Sequence, residues 1–368
     1  MIRSYMVVCL ALGWGCVLMA RNIAHPYLRG KPLRACQTGD NEASFTGTVR
    51  FVKANDAKLK KEFEYLVFDL GHGVELKLVK VAAKGKTFTI GSSKTEQDAV
   101  VKNYFNAKRP AFMDLESEQE VNLSDDFYIG QFEVTRGQFR RFVEEAKYTT
   151  ETEKTDGGYG YNEKDKKFEG RDKKYSWKST GLSAQTDDYP VTNITRNDAR
   201  TFCDWLGKKA TGTVKLREVR LPGEAEWEFA CRAGSKGRFA FGDHELKLAE
   251  YANVADATAK EAFPKWHTIA ANDGYVFAAP VGSFIPNDFG LYDMHGNVWE
   301  WVEDYYGKYS ALPKTRNAIQ TRKQGEERPL LRGGAYYNGP SECRCAYRYL
   351  VGIGGRYGAA GFRVVCVP

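Results

Sequence analysis

The stretch DFGLYDMHGNVWEWVEDYY, residues 288–306, carries the pattern that decides the fold of this chain. Near its end, Trp299 and Trp301 flank Glu300. Successive side chains of an extended segment point to opposite faces, so the two indoles would enter a core while the carboxylate faces the other way. The stretch therefore predicts an extended segment with a buried aromatic face and an acidic face that can meet a cation.

Composition and charge limit the classes of protein that this chain can be. It has 368 residues and a formal charge of +7, with 42% hydrophobic and 13% aromatic content. Such a chain can bury a large core in one or two globular domains. Lys and Arg are mixed with Asp and Glu, so we expect no nucleic-acid partner and a monomer. Five histidines and the absence of a CxxC pair leave little for a zinc site.

The N-terminus predicts export. Arg3 precedes an apolar run, YMVVCLALGWGCVLM, at residues 5–19, and this is the layout of a secretory signal. The alternative is a membrane-spanning helix, but the run is shorter than the ~20 apolar residues that a span needs. We therefore expect residues 1–20 to be a signal segment and the protein to reach the cell surface.

Two cysteines resemble the acylated cysteine of bacterial lipoproteins. A lipoprotein cleavage box has small residues before the acylated cysteine. Cys16 follows such residues but also Trp14. Cys36, in LRAC, matches the cleavage box better but follows a charged stretch. We expect a lipid anchor as the only attachment to a membrane, with Cys16, Cys36 and plain secretion left open.

Changes of pattern divide the remaining chain. Residues 21–73 are predicted to be a polar lead-in or tether, with strand-like pieces, TGTVRFV and EYLVFDL, in residues 37–73. From residue 74, VELKLVKVAAKGKTFTIGSS alternates apolar and polar residues as half-buried strands do, so the folded domain is expected over residues 74–368. Within it, residues 151–180 are charged and lack an apolar period, which predicts a solvated insertion.

Three amphipathic helices are predicted in this domain. Thr135 and Gln138 are spaced as a capping box before an apolar stripe that contains Phe139 and Phe142. Residues 193–209 repeat this design, with Thr195 and Asp198 at the start. Residues 221–234 begin with Pro222 and acidic residues and end at Gly234, as helices often do. These helices need a packing surface.

Six phrases occur in order across residues 75–368. They are FYIGQFEVTRGQF, YPVTNITRNDARTFCDWLG, VRLPGEAEWEFACRAG, DFGLYDMHGNVWEWVEDYY, LLRGGAY and GFRVV. Together they resemble the formylglycine-generating-enzyme/sulfatase-modifying-factor domain, whose core is C-type-lectin-like. The resemblance implies an α+β fold with two or three helices on small antiparallel sheets and many ordered loops.

The resemblance also implies two structural Ca²⁺ sites with oxygen ligands, which suit this ion. The first site carries over onto Asp293, Gly296, Val298 and Glu300, with the glycine and the valine acting through backbone carbonyls. The second carries over onto Asn253, Val254, Asp273 and Tyr275. The alternative is that Asp273 and Gly274 form a plain turn and that Glu300 is a surface carboxylate.

The cysteines of the domain are assigned through the same resemblance. It implies disulfides between Cys231 and Cys345 and between Cys203 and Cys366, which an oxidising compartment would preserve. Cys343 lies on the same side of an extended segment as Cys345, so it is an alternative partner for Cys231.

The family's oxidase chemistry depends on two cysteine thiolates that hold Cu(I). Their positions carry over onto Asn338 and Cys343. An Asn amide does not replace a thiolate for a soft ion, so we expect neither copper nor enzyme activity. The alternative function is a formylglycine-generating oxidase or an invariant sulfatase-modifying paralogue.

The C-terminal region, residues 335–360, resembles the variable region of proteins diversified by retroelements, such as Treponema-type variable lipoproteins. Arg344, Arg348 and Arg356 keep fixed places, and the positions between them hold residues that mutated asparagine codons can reach. The resemblance implies a non-enzymatic, surface-displayed protein that binds a protein or glycan on another cell. The predicted contact residues are Tyr336, Tyr337, Asn338, Ser341, Tyr347, Tyr349, Leu350, Val351, Ile353 and Tyr357. The alternative is that Tyr347, Tyr349 and Leu350 are core residues.

Overall fold

Short strands and amphipathic helices alternate along the chain. The computed structural model describes residues 49–210, 214–309, 328–352 and 354–368. In these ranges the strands are β1 (Val49–Asn55), β2 (Glu62–Asp69), β3 (Glu75–Val81), β4 (Thr87–Ile90), β5 (Gln119–Asn122), β6 (Phe127–Gly130), β7 (Gly158–Asn162), β8 (Lys167–Asp172), β9 (Glu218–Arg220), β10 (Trp299–Tyr305), β11 (Pro329–Arg332), β12 (Tyr349–Leu350), β13 (Ala360–Gly361) and β14 (Val365–Val367). The helices are α1 (Lys94–Tyr104), α2 (Arg136–Ala146), α3 (Glu151–Lys154), α4 (Arg196–Lys209), α5 (Glu224–Arg232), α6 (Leu248–Tyr251) and α7 (Ala257–Ala262).

The largest sheet has six strands in the order β1-β2-β3-β6-β14-β9. All neighbouring strands in it are antiparallel. The C-terminal strand β14 lies between β6 and β9, so the end of the chain is locked into the centre of the fold. Together with the helices, this sheet confirms the predicted α+β class.

The N-terminal boundary predicted at residue 74 is wrong for residues 49–69, because these residues form two strands of that sheet. β2 pairs with β3 from Tyr65↔Val79 to Asp69↔Glu75. Leu66 and Phe68 of β2 are buried in the core. The alternation of apolar residues in this segment is that of a paired strand and not of a polar tether.

The helices begin where their capping residues predict. Thr135 and Gln138 form a reciprocal capping box at the start of α2, and Thr195 and Asp198 do the same for α4. Each box satisfies backbone N–H groups that have no partner within the helix. The rings buried between the two helices belong to Phe139, Phe142 and Phe202.

The segment predicted to be a solvated insertion is folded. β7 and β8 pair as an antiparallel hairpin, and the side chains of Tyr175 and Trp177 that follow it are buried. The prediction holds for most charged residues of β8, which are exposed, but it missed the pairing of the two strands, in which Tyr159 and Tyr161 of β7 are half-buried.

A second sheet organises the C-terminal third. It has four strands in the order β12-β11-β10-β13. Both indoles of β10, those of Trp299 and Trp301, are buried in the main core, as the sequence predicts. The carboxylate of Glu300 is also fully buried, so the alternative of a surface carboxylate is wrong.

Buried arginine side chains connect this sheet to the rest of the domain. The Arg363 guanidinium donates to Glu300 at 2.6 and 2.7 Å, and that of Arg348 donates to Glu224 at 2.6 and 2.8 Å. Other buried arginines of the C-terminal third also pair with acids: Arg332 with Glu228, Arg344 with Glu96 and Glu116, and Arg356 with Asp156. The bidentate pairs of Arg348 and Arg363 fix both distance and orientation.

Within the described ranges, no helix combines the length and the apolar character that crossing a membrane requires. The predicted signal segment, Cys16, Cys36 and Ile353 lie outside the described residues.

Replacing Arg363 with Met is expected to lower the free energy of unfolding by about 3–5 kcal/mol, because it leaves the fully buried Glu300 carboxylate without its cation. Urea denaturation followed by circular dichroism measures this loss. Lys94→Met is the control, since the exposed Lys94–Asp98 pair should contribute less than about 1 kcal/mol. Equal effects of the two substitutions would contradict the structural role of the buried pair.

Candidate functional site

The predicted contact residues differ in how far they reach solvent. Tyr337, Tyr349 and Leu350 are each 37% exposed, which excludes the alternative that Tyr349 and Leu350 are core residues. Asn338, Tyr347 and Tyr357 are half-buried. The segment therefore presents a discontinuous aromatic surface.

Three predicted contact residues are buried. Val351 is only 4% exposed and packs in the main core. Its N–H donates to the carbonyl of Pro329 next to the β11–β12 pairing, which turns its side chain inward. Val351 is therefore corrected to a core residue. Tyr336 and Ser341 are also buried, but each lines a concavity.

One of these concavities is a cavity of about 350 Å³ between the β7–β8 hairpin and the C-terminal segment, residues 335–360. The C-terminal segment contributes Tyr336, Tyr337 and Tyr357. The opposite wall consists of Tyr159, Tyr161 and Phe168 of the hairpin, with Trp266 beside them. Sequence reasoning missed these four residues; the signal was the run of aromatic residues, such as GYGYN, inside a charged segment.

Asn193 fixes the distance between the two walls. Its Oδ1 accepts from the N–H of Tyr159 at 3.0 Å and its Nδ2 donates to the Tyr159 carbonyl at 2.9 Å. Its own N–H donates to the carbonyl of Tyr357. Asn193 has a φ of 56°, a conformation that Asn tolerates better than most residues. One buried residue therefore holds the hairpin through its side chain and the C-terminal segment through its backbone.

A wider groove of about 810 Å³ lies on the other side of Trp266 and Tyr337. Asn338 and Ser341 line it. Of the predicted contact residues, Tyr336, Tyr337 and Tyr357 line the first cavity, and Tyr337, Asn338 and Ser341 line this groove. Tyr347, Tyr349, Leu350 and Val351 line neither.

Asn338 and Cys343, the positions that correspond to the copper ligands, are neighbours. The Cys343 sulfur lies 3.8 Å from the Asn338 carbonyl oxygen. The Asn338 side chain accepts a hydrogen bond from the N–H of Ala335 at 3.1 Å. Burial, and then the charge of Glu342, raises the pKa of the Cys343 thiol well above its ordinary value. The Cys343 thiol is therefore protonated, and it lies beside an Asn338 side chain whose oxygen already accepts a hydrogen bond.

The residues of the first predicted calcium set lie together in one buried loop and the strand that follows it. Glu300 accepts from both Arg363 and the indole of Trp227. Asp293 accepts from the N–H of Gly282 at 2.7 Å through Oδ2, while its Oδ1 has no partner among the described residues. Gly296 and Val298 are buried in the same loop.

Glu133 is an acidic neighbour of Asp293 that sequence reasoning missed. Its Oε1 accepts from Asn297, and its Oε2 is buried without a partner in the described part of the chain. Burial, and then the charge of Asp293, raises the pKa of Glu133 well above its ordinary value. Burial also raises the pKa of Asp293 to about 6. Two buried acids with unpartnered oxygens form a donor set that fits a hard cation.

The second predicted set forms a tight turn. Asp273 accepts from the N–H groups of Val254 and Tyr275, each at 2.8 Å. Burial raises the pKa of Asp273 to about 7, with a smaller contribution from Asp256. The Oδ1 atom of the buried Asn253 has no partner among the described residues. The turn that was the alternative prediction is present, and the free Asn253 oxygen leaves room for a cation beside it.

The described cysteines are buried free thiols, so the predicted disulfides are not formed in this structure. The sulfur atoms of Cys231 and Cys345 lie 3.5 Å apart, beyond the ~2.05 Å of a disulfide bond. Cys343 instead contacts the Asn338 carbonyl, so Cys345 is the neighbour of Cys231. Cys203 and Cys366 are both buried, and burial raises the pKa of each thiol above its ordinary value.

His295 lies beside the Cys231–Cys345 pair, but its ring is already engaged. Nδ1 hydrogen-bonds to the Cys343 carbonyl at 2.9 Å, and Nε2 accepts from the N–H of Ala240 at 3.0 Å. Burial lowers the pKa of His295 to about 4. The neutral ring therefore serves as a structural link, and neither nitrogen is free to bind a metal.

The sequence of this chain is similar to those of known proteins. Residues 80–367 match the family of the sulfatase-modifying factor enzyme 1-like domain. The formylglycine-generating enzyme of Bos taurus is 31% identical over 247 residues, which cover 61% of this chain and 61% of that protein. The inactive C-alpha-formylglycine-generating enzyme 2 of Bos taurus is 34% identical over 200 residues, which cover 49% of this chain and 60% of that protein. The matches thus span about three fifths of the length of these relatives.

Two solved structures are similar to this chain. PvdO from Pseudomonas aeruginosa superposes with a TM-score of 0.61 at 26% identity, covering 82% of this chain and 98% of that one. Treponema denticola variable protein 1 superposes with a TM-score of 0.56 at 20% identity over the same shares, a likeness of fold. The motifs, the sheets and these matches agree: the chain belongs to the sulfatase-modifying factor enzyme 1-like family, and its fold is the C-type-lectin-like α+β fold that the sequence predicts.

Proposed function

We propose that this protein is a non-enzymatic binding protein whose contact surface is formed by the C-terminal segment, residues 335–360. The observation that carries the proposal is the pair of residues at the copper positions. Asn338 offers an amide that is already hydrogen-bonded, and Cys343 offers a single buried thiol whose pKa is raised. Cu(I) needs thiolate ligands, so the oxidase chemistry lacks its metal centre.

The way the segment is held supports binding. Arg344, Arg348 and Arg356 are buried and paired with acids on other elements. Tyr337, Tyr349 and Leu350 are exposed beside them. Exposed tyrosines offer wide, rigid contact area at low entropic cost, and a backbone fixed from behind is pre-organised for binding. The surface suits a protein or glycan partner on another cell.

Retroelement diversification, export and a lipid anchor extend this proposal. A backbone held by buried pairs tolerates changes at the exposed positions, which a diversified segment requires. The genomic test is a nearly identical repeat that differs at adenines and lies beside a reverse-transcriptase gene. Mass spectrometry of the mature N-terminus tests export and acylation at Cys16 or Cys36, and an unmodified N-terminus would exclude the anchor.

We also propose structural Ca²⁺ in the two loop sites. Glu133 and Asp293 would hold one ion together with carbonyls of Gly296 and Val298, and Asn253 with Asp273 would hold the other. The support is that buried oxygens of Glu133, Asp293 and Asn253 have no partner among the described residues. An ion there would neutralise buried carboxylates and brace the loops; it would take no part in chemistry.

The copper test compares the native protein with two variants. The native protein, reduced and supplied with Cu(I), is expected to leave peptide cysteines unchanged, as mass spectrometry of the peptide measures. Asn338→Cys adds the missing thiol and should bind one more equivalent of Cu(I) in a competition titration with a chromophoric chelator. Cys343→Ser, the matched control, should behave like the native protein. Oxidation of the peptide by the native protein, lost in Cys343→Ser, would establish an oxidase instead.

The calcium test uses the direction of the carboxyl pKa shifts. The pKa values of about 6 for Asp293 and about 7 for Asp273 exceed the ~3.9 of an unfolded Asp. The folded state therefore holds more protons than the unfolded state between about pH 4 and pH 7, and its stability falls as pH rises through that window. Chelator-treated protein should melt at a lower temperature at pH 8 than at pH 5.

Added Ca²⁺ should raise the melting temperature at pH 8 by more than at pH 5, because it binds the ionised carboxylates. Glu133→Gln should reduce this rise, whereas Asp114→Asn on the exposed surface should leave it unchanged. A melting temperature that does not respond to Ca²⁺ at either pH would rule out both sites.

A further inference from the structure

The cavity between the hairpin and the C-terminal segment has an unusual lining. Its walls carry the rings of Tyr159, Tyr161, Phe168, Trp266, Tyr336 and Tyr357. A volume of about 350 Å³ is within the range of small-ligand sites, which are mostly apolar with a few placed polar groups. Flat aromatic faces on several sides favour a ring-shaped ligand.

Several polar groups in this lining are free to bind a ligand. Within the part of the chain that the structure describes, the hydroxyls of Tyr161, Thr192 and Tyr336 make no hydrogen bond. Gln185 accepts from Thr180 through Oε1 at 2.6 Å, which leaves its amide N–H groups unused. A purely apolar ligand would leave these groups buried without a hydrogen-bond partner, and this costs binding free energy. The ligand must therefore offer hydrogen-bonding groups of its own.

The charges around the cavity argue for a neutral ligand. No side chain of its lining is charged. Behind the lining, the Arg136 guanidinium donates to the Gln185 carbonyl at 2.7 Å, and the Arg171 guanidinium lies near the Tyr159 hydroxyl. These cations disfavour an ammonium ligand in spite of the aromatic rings that could otherwise hold one. An anion would find no charged group inside the cavity to pair with.

We propose that this cavity is the ligand site and that it takes a neutral sugar ring of a glycan. A sugar ring has apolar C–H faces, which stack on aromatic side chains, and neutral hydroxyls at its rim, which meet the free groups of Thr192, Gln185 and Tyr336. The inference rests on the proposed binding function and makes it specific. It also assigns half of the site to the β7–β8 hairpin, so that Tyr161 and Phe168 determine specificity from outside the C-terminal segment.

Saturation-transfer difference NMR on the full-length protein, in calcium-containing buffer, tests this proposal. The probes are glucose, galactose, mannose, N-acetylglucosamine and their disaccharides, with choline, indole and sialic acid as a cationic, an apolar and an anionic comparison. We expect at least one neutral sugar to receive saturation, and the three comparison compounds to receive none.

Variants locate the binding. Phe168→Ala and Gln185→Ala should each weaken binding of that sugar about tenfold, because the first removes a stacking face and the second a hydrogen-bonding group. Phe51→Ala is the matched control, since Phe51 and Phe168 are both 48% exposed and Phe51 lies on β1. It should leave the affinity within twofold of the native value, and urea denaturation confirms that each variant is folded.

The sugar assignment, the location of the site and the proposed binding function would each be overturned by a different result. Binding of choline, indole or sialic acid in place of sugars would overturn the sugar assignment and leave a binding protein. Sugar binding that Phe168→Ala and Phe51→Ala change equally would overturn the location. If none of the neutral sugars binds, the inference is wrong, and copper-dependent peptide oxidation would in that case remove the proposed binding function as well.

Discussion

The fold depends on arginine and glutamate side chains that meet in its interior. Residues 328–368 contain few regular strands, so their backbone cannot be held by sheet hydrogen bonds alone. Arg332, Arg348 and Arg363 instead reach fully buried carboxylates and nearby carbonyls on other elements. A buried charge that loses its partner is strongly destabilising, so each pair enforces one arrangement of the loop that carries it.

This arrangement separates the side chains that hold the segment from those that meet a ligand. The arginines point inward and the tyrosines between them line the cavity or reach solvent, so the two sets respond differently to substitution. Buried Asn193 plays a similar part at the hairpin, since its side-chain amide binds the backbone of Tyr159 and its backbone N–H binds the carbonyl of Tyr357. The cavity is therefore formed by two chain segments, the hairpin and the C-terminal segment, that are about 200 residues apart in the sequence. The buried pairs and Asn193 hold these segments in place.

Sequence reasoning succeeded where a local rule decides the outcome. The capping boxes at Thr135 and Thr195 and the buried indoles of β10 follow from spacing alone. It failed where a contact joins distant segments. Nothing in the local sequence indicates that Arg363 pairs with Glu300 or that Glu133 lies near Asp293. The hairpin was missed because its charges outnumber its aromatic residues, although the aromatic residues decide its packing.

If the buried arginine pairs hold the C-terminal segment, its exposed side chains are not needed to maintain the fold. Urea denaturation of the variant with both Tyr349 and Leu350 replaced by Ser tests this dependence. We expect a cooperative transition with an unchanged slope and a free energy of unfolding within about 1 kcal/mol of the native value. A loss of several kcal/mol, or a broadened transition, would contradict it, because these residues would then belong to the core.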